Sequence, residues 1–126
     1  MTIWRVYAGP DGASRADELE FAFPASQDSV TVSLALEPDG ARLTKHLATY
    51  DRDFHNAPEV KLILTIAGEA DYILGDGGII TAGPGDAVLV EDTEGSGHAL
   101  RVKSVPRVTL SFSMSSCASV LRPHQS

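Results

Sequence analysis

Chemistry in this 126-residue chain could rest on His55, Lys61, Glu91, Asp92 and His98. Imidazoles change charge near neutral pH and serve as acid, base or metal ligand. His55 precedes Asn56-Ala57-Pro58, a turn at the mouth of a hydrophobic strand. Lys61 opens that strand. Alternation puts it on one face with Ile63 and Thr65, opposite Leu62, Leu64 and Ile66. Glu91 and Asp92 are neighbours and face opposite ways, so one can point inward while the other caps the next turn. The sequence does not say which. His98 follows Gly95-Ser96-Gly97, where glycines permit close backbone approach. Each residue has a plain structural alternative: a loop His bonded to backbone, a Lys snorkelling to solvent, a His that fastens its own loop. His46, Tyr50 and Arg107 are second-rank pocket candidates, with the structural role favoured for each. His124 reads as solvated.

These residues need strands to hold them, and the chain supplies strand signals throughout. Ile3 to Tyr7 reads as a strand stopped by Gly9-Pro10-Asp11-Gly12. Ser14 to Glu20 reads as one or two helical turns with Ser14 as N-cap. Pro24 to Asp28 reads as a loop. Val30, Val32, Leu34 and Leu36 alternate with small or polar residues, the pattern of a half-buried strand. Pro38-Asp39-Gly40 turns the chain, and Leu43 to Tyr50 returns as a hairpin arm. Asp51 to Glu59 reads as a loop carrying His55. Lys61 to Ile66, Ala70 to Leu74, Ile79 to Thr81, Ala87 to Val90, Ala99 to Lys103 and Val108 to Phe112 follow as strands. Gly68 lies just past the first of these. Asp76-Gly77 makes a hairpin turn, and Pro106 separates the last two strands. The tail from Ser115 to Ser126 is Ser-rich and reads as mobile. Many short strands with Gly and Pro turns predict an all-β barrel or double-sheet jelly roll.

Composition narrows the function. A net charge of -7 would repel a phosphate backbone, so nucleic acid is not an expected partner. With 43% apolar and 21% charged residues the chain has an ordinary globular composition. The length suits a single domain over residues 1–126. Cys117 is the only cysteine, which suits a reducing compartment. No apolar run approaches a membrane span and no signal peptide is visible, so the expected location is cytoplasmic. Gly75 to Gly78 lacks the helix and lysine of a phosphate loop, and no nucleophile elbow is present.

The stretch from His55 to His98 resembles the cupin superfamily, in particular its small single-domain members. His55 fits the first His of the first cupin motif and Gly68 its closing Gly. Ala57 falls where the second His stands, and Lys61 where the Glu stands. Pro84-Gly85-Asp86 fits the cupin Pro-Gly-Asp turn, and His98 the late metal ligand. The run from Glu91 to His98 looks like that of an uncharacterised bacterial subset. The resemblance covers residues 30–113 and implies a cupin-like double-stranded jelly-roll barrel with the Lys61 face inward. A lysine there would be desolvated and lose its proton more readily unless a carboxylate paired with it. Of the cupin metal ligands only His55 and His98 are present, so no metal or other cofactor is expected, and a divalent metal would rest on those two alone.

The resulting expectation is a small metal-independent enzyme that binds a small organic molecule in the barrel. His55, Lys61, an acid from Glu91 or Asp92, and His98 would move protons or stabilise an oxyanion. That suits isomerisation, cyclisation, dehydration or lyase chemistry, and the family resemblance suggests bacterial natural-product biosynthesis. A non-catalytic small-molecule-binding module is the alternative, and a metal-dependent oxygenase or isomerase a third. The apolar face of Leu62, Leu64 and Ile66 suggests a homodimer.

Overall fold

The structure, a computed structural model, describes residues 1–25, 30–114 and 120–125. Among these the chain is all-β, without a helix. Its strands are β1 (Ile3–Ala8), β2 (Ser14–Phe21), β3 (Gly40–His46), β4 (Tyr50–His55), β5 (Lys61–Leu74), β6 (Ile79–Ala82), β7 (Ala87–Val90), β8 (His98–Ser113) and β9 (Leu121–Pro123). They form a single mixed sheet in the order β3-β8-β5-β7-β1-β2-β9, with β4 paired to β8 and β6 to β5. Only β1 and β7 run parallel among these pairs. The hydrogen-bonded path is open, with β3 and β9 at its ends, so hydrogen bonds do not close the expected barrel. Among the described residues no helix is long and apolar enough to cross a membrane.

Several local expectations give way. Ser14 to Glu20 is not helical: the turn at residues 9–12 folds β2 back on β1, with Ile3 opposite Leu19 and Ala8 opposite Ser14. The alternating segment at residues 30–36 forms no strand. Leu34 and Leu36 pack on the core without entering a ladder, so the hairpin expected with residues 43–50 is absent and β3 pairs with β8 instead. Asp51 to His55 belongs to β4 rather than to a loop. The tail is not uniformly loose, because Leu121 is buried and β9 pairs with β2. The remaining tail residues 115–119 and 126, Cys117 among them, lie outside the described residues, as does most of the loop expected up to Asp28.

Two long strands replace two expected pairs. β5 runs through Gly68 and β8 through Pro106, and their register shifts three times between Thr65 and Ala70. Gly68 marks a bulge rather than a strand end. Its φ is 78°, and a Cβ there would lie 2.6 Å from the Arg107 Cα, so only glycine lets the two backbones pass. The irregularity reverses side-chain facing. Lys61 and Ile63 share one face before the bulge, and Tyr72 joins that face after it.

The core divides by face. Leu62, Ala87, Leu89, Ile3 and Leu19 cluster on one side, covered by Met114, Val120 and Leu121. Val6, Tyr72, Leu74, Ile80, Val88 and Val90 cluster on the other. Leu62 is 2% exposed, so the chain itself covers much of the apolar face expected to meet a second copy.

Candidate functional site

A cavity of about 280 Å³ opens where the second core cluster ends. Strand β3 lines it with Arg42, Thr44 and His46, and β8 with His98, Leu100, Arg107, Thr109 and Ser111. Strand β4 adds Tyr50, Arg52 and His55, and β5 adds Lys61, Ile63 and Tyr72. In β3 the usual pattern is inverted: its polar positions face the cavity, while Leu43 faces outward at 68% exposure.

Of the five residues singled out in the sequence, His55, Lys61 and His98 border this cavity. Glu91 and Asp92 part as alternation requires. Glu91 turns away to the Arg5 guanidinium, 2.6 Å distant. Asp92 turns inward and is fully buried, accepting a 2.6 Å hydrogen bond from His98 Nδ1 through Oδ2. Its backbone carbonyl also accepts from Ala57 N at 3.1 Å, which ties the His55 turn to the His98 loop. Asp92 Oδ1 has no partner among the described residues.

The two cavity histidines lie side by side, ring centroids 4.7 Å apart. A carbonyl can only accept, so the 3.0 Å contact of His55 Nδ1 with the Asp53 carbonyl places a proton on Nδ1. A carboxylate likewise fixes the proton of His98 on Nδ1. Each ring then has an unprotonated Nε2, with no hydrogen bond to it among the described residues. Burial holds His55 below the ordinary imidazole range. The Asp53 hydrogen bond opposes this, and the charges of His98 and Arg52 add to the lowering. His55 thus stays neutral near physiological pH, in the form that accepts a proton.

The loop before His98 is held by contacts that only small residues permit. Gly97 has a φ of 70°, and its α-carbon packs on the His55 carbonyl where a side chain would collide. Buried Ser14 donates to the Gly97 carbonyl at 2.7 Å and accepts from Gly75 N at 2.7 Å. These bonds fix where the His98 backbone enters β8.

Arg107, Tyr72 and His46 form a second group on the same wall. Arg107 Nη2 donates to Tyr72 Oη at 3.1 Å, and Nη1 to His46 Nδ1 at 3.4 Å. His46 then carries its proton on Nε2, toward Tyr50 Oη at 3.2 Å. Burial and the Arg107 charge hold the His46 imidazole below its ordinary range. Burial raises the Tyr72 phenol, with Arg107 partly offsetting, so it remains protonated. Tyr72 connects the groups, its ring centroid 5.5 Å from that of His98.

Lys61 borders the cavity, with the Glu59 carboxylate 3.9 Å from its ammonium at the exposed edge. Sequence reasoning did not place Tyr72, Arg42 and Arg52 on this wall, and gave Arg107, which borders the cavity with them, second rank. The available signal for Tyr72 was Gly68, since a glycine inside a strand pattern marks a bulge that flips facing. For Arg42 it was the polar alternation of Arg42, Thr44 and His46.

Among the described residues no three His, Cys, Asp or Glu side chains come together to hold a metal. His98 commits Nδ1 to Asp92, and His55 commits Nδ1 to the Asp53 carbonyl. Two imidazoles are fewer protein ligands than a tight transition-metal site uses. No protein-family model matches the chain, and no curated protein matches it.

Proposed function

We propose that the chain is a small cupin-like jelly-roll enzyme that catalyses proton transfer on a small organic molecule in this cavity, without a metal. The observation that carries this reading is the buried Asp92-His98 pair with His55 beside it. Asp92 orients His98 and stabilises its imidazolium, as a carboxylate does for a general base. One histidine Nε2 takes a proton from a carbon next to a carbonyl. The C–H electron pair moves onto the carbonyl oxygen, giving an enolate. Tyr72 Oη or Lys61 donates a hydrogen bond to that oxygen. In a β,γ-unsaturated substrate, return of the same proton to the γ-carbon moves the double bond and completes an isomerisation. In a β-hydroxy substrate, loss of hydroxide from the β-carbon, protonated by the imidazolium that took the α-proton, releases water and completes a dehydration. Neither outcome needs a further reactant. The cupin resemblance adds natural-product biosynthesis as the setting. The apolar face of β5 adds a homodimer, with its contact on the exposed Leu43 and Ile66 rather than on covered Leu62.

The test is solvent exchange. Keto acids, keto esters and diketones are incubated with the protein in D2O, and deuterium incorporation is followed by NMR. Exchange that His98→Asn abolishes supports the proposal. Ligands that bind without exchanging would leave a binding module in its place.

A further inference from the structure

The cavity wall carries a charge that the protein does not neutralise. Arg107 is 3% exposed and borders the cavity. A guanidinium has five N–H donors. Here one goes to Tyr72, one to His46, and the buried Nε has no partner among the described residues. Both partners are neutral groups. Arg5, Arg15, Arg101 and Arg122 each reach a carboxylate within 3.5 Å. Arg42, Arg52 and Arg107, all on the cavity, make no ion pair among the described residues. Among the described residues no Asp or Glu lines this space. A buried guanidinium without a counter-charge is costly, and an anion bound in the cavity would offset that cost.

We propose that the cavity binds a small organic carboxylate anchored by the Arg107 guanidinium. This deepens the acid-base reading above and rests on it for the place of the substrate. The planar fork of arginine matches a planar carboxylate. Phosphate sites commonly use a nest of free backbone N–H groups or a helix N-terminus. Here the walls are strands whose backbones serve ladders, and the cavity presents side chains. The volume equals that of about nine waters, which suits a small acid. Tyr72 joins Arg107 to His98, so an acid held at Arg107 extends along the phenol toward both histidines.

The experiment follows the arginine Nε–H resonances of the full chain by NMR during titration with levulinate, succinate and benzoate. Methyl levulinate and inorganic phosphate are the comparisons. At least one carboxylate is expected to move the Arg107 signal and saturate below about 10 mM, within reach of a millimolar Kd. Levulinate is expected to bind at least about tenfold more tightly than its methyl ester, and Arg107→Met to remove that difference. His98→Asn should retain affinity within about twofold, since His98 is assigned to proton transfer rather than to anchoring. The proposal is overturned if none of the three acids saturates, if the ester binds equally, or if phosphate binds more tightly. Should Arg107→Met fail to fold, the acid-ester contrast in the wild-type chain decides the matter. Binding of levulinate without deuterium exchange would keep the anion site and remove the acid-base reading. Exchange on the neutral ester without carboxylate binding would do the reverse.

Discussion

The two faces of the central strands β5 and β7 treat charge and apolar surface in opposite ways. On one face Leu62, Ala87 and Leu89 lie under Met114, Val120 and Leu121, and the arginines at its rim, Arg5 and Arg122, pair with Glu91 and Glu20. On the other face Val88, Val90 and Tyr72 give way to a cavity whose arginines make no ion pair among the described residues. On the first face the chain covers most of its own apolar side chains, whereas the second opens onto the cavity. The contrast separates residues packed in a core from residues that line a cavity, although both sets lie on the same strands.

The largest expected effect lies on the open face. Replacing His98 with Asn keeps a hydrogen-bonding side chain of similar size next to Asp92 and removes the base. Turnover of any substrate found is expected to fall by about a hundredfold to ten-thousandfold, with the melting temperature changed by a few degrees at most. Single-turnover rates together with a thermal melt check this. A large loss of stability with rates preserved would mean that the Asp92-His98 pair is a structural clip.

The closed face should behave in the opposite sense. Leu62→Ala removes a side chain that is 2% exposed, and should cost about 2–5 kcal/mol through lost burial and a residual cavity. Ligand affinity at temperatures where the variant is folded should be unchanged. Urea unfolding and a ligand titration on the same sample measure both. A change in affinity of more than a few fold would show that the two faces are coupled.

Arg107→Met tests the contrast most directly. The substitution strips donors from Tyr72 and His46, at about 0.5–1.5 kcal/mol each. It also removes a buried charge that has no counter-ion, which favours the fold. The net change in stability is expected to stay within about 1 kcal/mol while carboxylate binding is lost. A loss of about 3–5 kcal/mol, the range for breaking a buried ion pair, would place Arg107 with the structural residues.

How far the sequence revealed this division depended on the range of the interactions involved. The turns at Asp76-Gly77 and Pro84-Gly85-Asp86 and the strand β7 were legible because their signals are local. The separation of Glu91 from Asp92 followed from alternation, but its direction did not, because it needs the position of Arg5 across the β1–β7 ladder. Tyr72 was hidden because the bulge at Gly68 moves later residues of β5 to the other face, and bulges depend on the partner strand. Residues 30–36 misled for a related reason. Their period-two pattern reports that Leu34 and Leu36 pack on the core, which a segment outside the strands can also do. Ser14 was read as a helix cap, yet its polar atoms are used by Gly97 and Gly75, far away in sequence.

Acid should weaken the open face first. His46 and His55 are both held below the ordinary value of 6.5, chiefly by burial. The unfolded chain therefore takes up these protons at higher pH than the folded one. Their contribution to stability is full above 6.5 and is lost as pH falls through the folded values. Melting temperatures recorded from about pH 8 to about pH 5 should decline, and the double variant His46→Gln with His55→Gln should decline less steeply. Equal slopes would mean that these imidazoles are not desolvated.

The smallest effect is expected at Arg5, which serves as the control for Arg107. Its guanidinium lies 2.6 Å from Glu91 and 4.2 Å over the Tyr7 ring, but both charged side chains are about a third exposed to water. Water can therefore solvate whichever partner remains. Such pairs contribute about 0.2–1 kcal/mol, and Arg5→Met keeps an apolar stem against Leu89. The variant should lose no more than about 1 kcal/mol in urea unfolding, more so at low salt than at high salt. Its affinity for levulinate should match wild type, because Arg5 and the cavity are on opposite faces of the sheet. The two arginine variants would then have similar stability and differ only in ligand binding. If Arg5→Met weakened carboxylate binding as much as Arg107→Met does, the effect would follow from net charge alone, and the distinction between the two faces would fail.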